Sequence, residues 1–522
     1  MKQPISAARS LPRLLLSAVL LAVLACTDLT ETPSSFTTPE NFYRNEAEVL
    51  GGLAAVYAQL RGTLDDYWYA SEVSSDEVVV PTRGQDWYDN GQWLELKRQA
   101  WTASSPSGLA FMNGSYVTPF TGVARANVLL EALQNVTVPN QAAIVAEART
   151  LRAFYYYILM DMFGGVPVVT NTAIMPRARD TRDSVFKFIE AELLAARTDL
   201  PVSWPAAGQG RLTKGAADAI LASMYLNAGV WMKNTGVSAT SYNTCLGVIV
   251  AGGLDACQAA INRADSIINS GQYSLSTVWR SNFTADNGTS PENIFVVKFL
   301  NRPDVGLNFI MRALHYNQLT GATPWNGFAT TAAVYTAFDA NDDRRAMWLE
   351  GPQTNVETGA PVNDRSGNPL VFTDSIIDVT AATEGEGPRI YKWPADPARP
   401  DGPTNGNDFA YFRYAEILLI KAEALNEQAA GGAPALALVN QVRARVFNPD
   451  EPRAGPIDRA QLLQERLFEL ATEGKRRQDL IRHGLYTAPW SYKLAGAAHL
   501  ILMPIPQSQM DANPLLVQNP GY

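Results

Sequence analysis

Aromatic and charged side chains are interspersed in the stretch SSDEVVVPTRGQDWYDNGQWLELKRQAW, residues 74–101. Flat indole and phenol rings stack on the apolar C–H faces of a sugar, while carboxylates and guanidinium groups hydrogen-bond to its hydroxyls. This combination of residue types is typical of a carbohydrate-binding surface. We predict ligand contacts at Asp76, Arg83, Trp87, Tyr88, Trp93 and Trp101.

A second candidate stretch is GATPWNGFATTAAVYTAFDANDDRR, residues 321–345. Trp325 and Asn326 follow a proline there in a turn-like context, and we predict that both contact ligand. For every aromatic residue in the two stretches, the alternative is packing in the core. For Asp76 and Arg83, the alternative is that the side chain pins or caps local backbone.

No motif for catalysis or metal binding is present. The three histidines, His315, His483 and His499, are scattered, and no HExxH, CxxC, Walker or complete EF-hand pattern occurs. The 51 acidic residues leave open a hydrolase with two carboxylates about 5–10 Å apart, because such a pair forms only in three dimensions. Nothing in the linear spacing points to one, and we predict no catalytic residue, metal or cofactor.

Helices are required to position these stretches, and the strongest helical pattern lies just before Gly164 and Gly165. Apolar residues recur there at spacings of three and four, which is typical of one buried helix face: Ile144, Ala148, Leu151, Tyr155, Ile158 and Met162. Similar patterns occupy residues 120–133, 211–229, 412–427, 435–446 and 461–484. We predict Thr213 as an N-cap and Glu473–Arg477 as an i,i+4 ion pair.

These patterns predict a mostly α fold, in which tetratricopeptide-like helix pairs form a scaffold. The spacing is not a regular 34 residues, so the repeats are degenerate. Loop-rich residues 62–118 and 272–410 would form a ligand-binding face with short β segments such as NIFVVKFL, residues 293–300.

The N-terminal segment predicts export. Residues 14–25 are almost wholly apolar and follow Arg9 and Arg13, which is typical of a signal peptide. Val23-Leu24-Ala25-Cys26 matches a lipobox, which predicts cleavage before Cys26 and lipid attachment to it; the alternative is an ordinary secretory peptide. Residues 27–40 then form a polar tether of roughly 45 Å when extended.

Net charge limits the class of binding partner, and the cysteine content bears on disulfide formation. The net charge is −9 without a basic stripe, which argues against nucleic acid as a partner. After Cys26 only Cys245 and Cys257 remain. In an oxidising compartment we predict that they form a disulfide, and the alternative is two free buried thiols.

The chain resembles the SusD/RagB family of surface lipoproteins. The resemblance rests on motifs in the expected order behind the lipobox: EARTLRAFYYYILMDMFGGVPVV, RLTKGAADAILASMYL, FRYAEILLIKAEALNE, ERLFELATEGKRRQDLIRHG and the closing LMPIPQSQMDANPLLVQNPGY. It implies an N-terminal region at 41–270 and a C-terminal region at 271–522. It also implies that residues 68–101 and the Trp-Asn-Gly loop at 325–327 lie near the ligand.

The resemblance implies a non-catalytic outer-membrane lipoprotein that faces the exterior. Such a protein captures a nutrient, usually a glycan, and delivers it to a SusC-like TonB-dependent transporter. A peptide ligand and a tetratricopeptide-type interaction scaffold remain alternatives. The acid run that follows the lipid cysteine in some members is reduced here to Asp28 and Glu31, which weakens the prediction of surface display.

Overall fold

The computed structural model describes residues 42–522. The predicted signal peptide, lipidated Cys26 and the whole tether lie outside the described residues. Within residues 42–522, no helix is both long enough and apolar enough to cross a membrane.

Helices make up most of the regular structure, as the sequence predicts. Their bounds are α1 Glu46–Ala58, α2 Asp66–Val73, α3 Gln92–Lys97, α4 Asn113–Ala132, α5 Gln141–Phe163, α6 Arg182–Asp199, α7 Lys214–Leu226, α8 Ala228–Trp231, α9 Ala256–Ile268, α10 Phe309–Ala313, α11 Ala332–Ala337, α12 Tyr414–Gln428, α13 Ala433–Arg443, α14 Arg459–Leu470, α15 Arg476–Arg482 and α16 Gln507–Ala512. The predicted helix with period 3.6 is α5, and it ends at Gly164, whose φ of 73° favours glycine.

The longer helices pack side by side in one connected row. Helix α4 contacts α5, α5 contacts α6, and α6 contacts α7; α7 then contacts α9, and α9 contacts α12, on which α13 and α14 pack. Their apolar faces share one hydrophobic core, in which five consecutive side chains of α5, from Ala153 to Tyr157, are almost fully buried. This row is the helical scaffold that the sequence predicts, and it contains helices from both halves of the chain.

Two details of the helix prediction are corrected. Thr213 occupies the N-cap position of α7, but its hydroxyl hydrogen-bonds to Tyr273 Oη at 2.8 Å instead of capping the helix. The Glu473–Arg477 pair does not form, because the helix is interrupted between α14 and α15. Glu473 instead contacts Lys392 and Arg413, and Arg477 contacts Asp161.

Short antiparallel strands tie the loop-rich segments together. Their bounds are β1 Val78–Val79, β2 Ile249–Val250, β3 Leu254–Asp255, β4 Asn293–Val297, β5 Ala329–Thr330, β6 Trp348–Leu349, β7 Gly351–Pro352, β8 Val371–Phe372, β9 Arg389–Ile390 and β10 Phe409–Arg413. One sheet has the order β1-β5-β9-β6, and β4 pairs with β10, β2 with β3 and β7 with β8. The β1–β5 pairing joins the two candidate stretches.

Cys245 and Cys257 form a disulfide, as predicted. Both residues are fully buried, and Cys257 lies in the first turn of α9. The side chain of Asp255 caps that turn by accepting hydrogen bonds from the backbone N–H groups of Cys257 and Gln258. The disulfide therefore fastens the 245–257 loop to the start of a scaffold helix.

Candidate ligand-binding site

Strand pairing brings Trp87 and Trp325 together although 238 residues separate them in sequence. Val78 lies opposite Thr330 and Val79 opposite Ala329, so the loops beside these strands meet. The ring centroids of the two tryptophans lie 6.5 Å apart, and Trp87 Nε1 donates a hydrogen bond of 2.5 Å to the Trp325 carbonyl. We call Trp87, Tyr88 and Trp325 the aromatic platform.

The platform presents ring surface to solvent. The exposed fractions are 59% for Tyr88 and 40% for Trp325, while Trp87 is partly buried. Burying large apolar rings is normally favourable, so exposed neighbouring aromatics are typical of a binding surface. The platform can therefore stack against a flat apolar face of a ligand.

Unusual backbone conformations hold the two tryptophans in place. Trp87 has φ of 62° and Asn326 has φ of 52°, both in the left-handed region. A Cβ on Gly327 would lie 2.3 Å from the Trp87 ring, so only glycine fits at this position. Sparsely populated backbone conformations of this kind persist only where the surrounding structure enforces them, and they cluster at functional sites.

Trp93 and Phe328 support the platform from below. Trp93 is only 4% exposed, and its ring centroid lies 5.5 Å from that of Trp87 and 5.3 Å from that of Phe328. Its Nε1 donates a hydrogen bond of 2.7 Å to Asp89 Oδ2. Trp93 therefore belongs to the site, but it positions the platform and presents little surface to a ligand.

Four polar residues lie beside the platform, and we call them the polar rim: Asp86, Tyr316, Arg365 and Glu384. The Tyr316 hydroxyl donates to Asp86 Oδ2 at 2.5 Å, and the Arg365 guanidinium lies 4.1 Å from the centre of the Tyr316 ring. Arg365 bridges the two carboxylates, 3.4 Å from Asp86 and in direct contact with Glu384. Their partly exposed oxygens and guanidinium are suited to hydrogen-bond sugar hydroxyls.

The rim carboxylate Glu384 is held ionised. Burial opposes its charge, but hydrogen bonds from Arg365 and His315 lower the pKa of Glu384 to about 2. Burial, reinforced by the hydrogen bond to Asp86, raises the pKa of Tyr316 to about 12. Desolvation lowers the pKa of His315, which is buried and bonded to Glu384 at 2.9 Å. At neutral pH the rim thus offers a carboxylate acceptor beside a phenol.

The structure corrects the predicted contacts at Trp101, Arg83 and Asn326, because all three are buried. Trp101 is 3% exposed and donates to Tyr522 Oη at 2.8 Å, within the core. Arg83 donates to the carbonyls of Thr383 and Glu386 beneath the rim. Asn326 is fully buried, where its side-chain amide donates to the Glu384 carbonyl at 3.1 Å.

Asp76 lies apart from the platform. Both of its carboxylate oxygens accept hydrogen bonds of 2.7 Å from the Arg476 side chain, so Asp76 forms an ion pair and neither contacts the platform nor pins local backbone through these bonds. It lines a different cavity of about 720 Å³, which none of the platform residues line. The structure therefore separates Asp76 from the aromatic residues that neighbour it in sequence.

Sequence reasoning missed the polar rim; Asp86 lies within the first candidate stretch but is not among the predicted contacts. Tyr316, Arg365 and Glu384 come from loops without any periodic pattern, and tertiary packing alone places them beside Trp87. Among residues 42–522, no group of three or more histidine, cysteine or acidic side chains is arranged to hold a metal ion.

Two family models match the chain. The model described as "SusD family" matches residues 251–499, and the one described as "Starch-binding associating with outer membrane" matches residues 47–226. The chain is 25% identical to SusD-like protein P2 of Formosa agariphila, over 97% of this chain and 98% of that protein. It is 24% identical to Starch-binding protein SusD of Bacteroides thetaiotaomicron, over 87% and 84% of the two chains.

A solved structure supports the same relationship at the level of fold. The structure titled "Laminarin binding SusD-like protein" superposes with a TM-score of 0.71 at 24% identity, over 92% of this chain and all of the other. The regions matched by the family models, the helical scaffold and the order of the sequence motifs all indicate the same family. The chain therefore belongs to the SusD/RagB family.

Proposed function

We propose that the aromatic platform captures a glycan and that the protein delivers it to a SusC-like TonB-dependent transporter. The protein would be held in the outer membrane by lipid on Cys26, with its binding face to the exterior. The description of one matching family model, "Starch-binding associating with outer membrane", supports this role. The printed names of a starch-binding relative and a laminarin-binding structure support a glycan as the ligand class.

One observation carries the proposal: exposed Trp325 and Tyr88 lie beside the rim formed by Asp86, Arg365 and Glu384. Stacking uses the apolar faces of a pyranose, and the rim supplies acceptors and donors for its hydroxyls. The interaction scaffold predicts that Trp87, Trp93 and Trp325 are buried; Trp93 is buried, whereas Trp325 is 40% exposed. An exposed indole beside hydrogen-bonding groups therefore favours the glycan.

We infer that the site binds without hydrolysing. A glycosidase requires one carboxyl group that keeps its proton near neutral pH and donates it to the leaving group. The pKa of Glu384 is about 2, so this group is ionised and cannot act as the acid. Arg365 bridges Glu384 to Asp86, which ties both rim carboxylates to a cation.

Titration of the full chain with a panel of oligosaccharides and peptides tests the proposal. We expect saturable glycan binding with no new products in the same mixtures. Trp325→Ala should weaken binding at least tenfold, which is about 1.4 kcal/mol. Trp204→Ala is the matched control, because Trp204 is half-buried against Arg211 in the scaffold and should leave affinity unchanged.

The other outcomes of that titration separate the alternatives. Peptide binding would replace the ligand class, and a lack of binding across the panel would favour the interaction scaffold. Cleaved product would contradict the absence of catalysis. Membrane attachment is tested separately: Cys26→Ala should release the protein from the membrane fraction, and a variant that stays there would contradict the lipid anchor.

A further inference from the structure

Most of the charged side chains beside the aromatic platform are acidic. Asp86 and Glu384 belong to the polar rim, and their side chains are 40% and 22% exposed. Asp89 follows Tyr88 in sequence and is also exposed. The rim cation is Arg365, whose side chain is 52% exposed. A ligand on the platform therefore meets three carboxylates and one guanidinium.

The guanidinium of Arg365 is already matched by two of these carboxylates. It lies 3.4 Å from Asp86 Oδ2, contacts Glu384 directly, and covers the Tyr316 ring at 4.1 Å. Burial opposes the charge of Glu384, but hydrogen bonds from Arg365 lower its pKa to about 2, so this carboxylate stays ionised. An anionic ligand that approached Arg365 would also approach both carboxylates, whose repulsion offsets the attraction of the cation.

Two further arginines lie under the rim, but neither is open to a ligand. Arg83 is 2% exposed and Arg389 is fully buried. Both donate hydrogen bonds to backbone carbonyls within residues 383–387. His315 is buried as well, and burial lowers its pKa, so the imidazole is uncharged at neutral pH. These basic side chains therefore fix the loop instead of offering a cation to a ligand.

Uncharged hydroxyl groups suit this arrangement better than anionic groups do. A hydroxyl both donates and accepts, so it can donate to Asp86, Asp89 or Glu384 and accept from Arg365. Hydrogen bonds to an ionised carboxylate are roughly twice as strong as those between neutral groups. A ligand carboxylate or sulfate only accepts, so it would lose part of its water shell beside three groups of its own sign. The net charge of the chain, −9, adds repulsion at longer range.

We propose that the site selects uncharged glycans over glycans that carry uronate or sulfate groups. This inference rests on the proposed function and names its substrate class more narrowly. Asp86 and Glu384 set the selectivity by neutralising Arg365, and Asp89 adds a further negative charge. The platform rings do not contribute to it, because a hexose and its uronate present similar apolar C–H faces for stacking.

Calorimetric titration of the full chain tests the selectivity with neutral oligosaccharides of glucose, mannose and galactose. Each is compared with its C6-oxidised form, in which hydroxymethyl groups become carboxylates, and with the uncharged methyl ester of that form. Oligogalacturonate and oligomannuronate are additional anionic probes. We expect the oxidised form of the glycan that binds to have at least tenfold lower affinity, and the ester to recover it to within about threefold. Between about 0.01 and 1 M salt the Debye length falls from about 30 to about 3 Å, so the difference should shrink.

Variants of the carboxylates identify the residues responsible. Asp86→Asn combined with Glu384→Gln frees Arg365 and should bring the neutral and oxidised forms to within about threefold of each other. Asp89→Asn, a single change at an exposed position outside the Arg365 pairs, should narrow the difference about threefold even if the double variant does not fold. Glu46→Gln is the matched control, because it removes one exposed negative charge from the first turn of α1 and should leave the ratio unchanged.

The outcomes separate this inference from the proposed function. An oxidised glycan or an oligouronate that binds as tightly as the neutral form would overturn the selectivity but leave glycan capture intact. The same holds for a preference that persists unchanged in the carboxylate variants that fold. A lack of binding to every glycan, neutral or anionic, would contradict the proposed function itself and the selectivity with it.

Discussion

Buried arginines have different partners in the helical scaffold and in the loops under the polar rim. At the start of α12, Arg413 contacts the carboxylates of Glu469, Glu473 and Glu292 at 2.6–3.0 Å, and it donates to one carbonyl, that of Glu469 in the last turn of α14, at 3.1 Å. Under the rim, the side chain of Arg389 instead donates to the carbonyls of Glu384, Glu386 and Gly387 and to the side chain of Asn326. Both arginines are fully buried.

The difference follows from where free backbone groups remain. A helix uses its carbonyls in i→i−4 hydrogen bonds except in its last turn, so a guanidinium buried among helices relies mainly on carboxylate side chains. An irregular loop leaves carbonyls unpaired, and these must find donors once they are buried. Arg389 supplies several donors in one rigid group and thereby fixes the loop that carries Glu384 and the turn that carries Trp325.

The largest expected effect is on the scaffold side of this comparison. Arg413→Met removes one cation from a buried network in which Arg445 still contacts Glu292 and Glu469 and Lys392 still contacts Glu473. The one negative charge left uncompensated in the interior should lower the free energy of unfolding by about 3–5 kcal/mol. Urea unfolding followed by circular dichroism measures the change. A loss below about 1 kcal/mol would show that this ion network contributes little to stability.

On the loop side, Arg389→Met should act mainly on binding. The loop carbonyls lose their donors, so we expect about 1–3 kcal/mol of destabilisation. Because Arg389 no longer reinforces the Asn326–Glu384 hydrogen bond that joins the Trp325 turn to the Glu384 loop, glycan affinity should fall at least tenfold. Calorimetric titration and urea unfolding are measured on the same variant. Unchanged affinity would mean that the platform is positioned without Arg389.

Glu72 and Glu77 form a carboxyl pair at the border between the scaffold and the loops, and both accept hydrogen bonds from backbone N–H groups. Glu77 accepts from the backbone N–H of Thr472, and Glu72 accepts from that of Gly474, in the turn between α14 and α15. Burial raises the pKa of Glu77 to about 7, and burial together with Glu77 raises the pKa of Glu72. The folded chain therefore holds a proton that the unfolded chain releases.

This pair predicts a pH dependence of stability. Because the pKa of Glu77 is about 7 in the folded chain and 4.5 is its ordinary value, its contribution should be fully present below about pH 4.5 and be lost as pH rises through 7. Glu77→Gln should flatten the decrease in unfolding free energy between pH 5 and 8. Glu46→Gln, at an exposed position, is the control. An unchanged slope in Glu77→Gln would contradict the shared proton.

The smallest expected effect is at the rim. Tyr316→Phe removes the hydroxyl that donates to Asp86 but keeps the ring beneath Arg365. We expect about 1 kcal/mol of lost stability and about threefold weaker glycan binding. Thermal unfolding and titration check both values. A tenfold loss would instead indicate that the Tyr316 hydroxyl itself contacts the glycan.

Much of the scaffold is predictable from sequence because helix periodicity is local. The spacing of apolar residues in α5 fixes which face is buried, and the glycine that follows ends the helix. The predicted Glu473–Arg477 pair fails because the same periodicity continues across a turn that interrupts the helix. Glu473 instead forms ion pairs with Lys392 and Arg413, which are distant in sequence.

The aromatic half of the site is partly predictable, because clustered tryptophans in loops already indicate stacking. Sequence does not distinguish exposed Trp325 from buried Trp101, since neighbouring loops decide which rings are covered. Nor does it connect Arg365 and Glu384 with Asp86, which precedes Trp87, because these residues lie hundreds of positions from Asp86 and have no periodic signature.

The sequence by itself determined the family, the helical scaffold and the aromatic composition of the site, because these depend on local order and residue type. The tertiary structure alone decided the site's geometry. Pairing of β1 with β5 brings Trp87 to Trp325, and the buried guanidinium of Arg389 joins the surrounding loops. Such contacts form only when distant segments pack, so no local pattern encodes them.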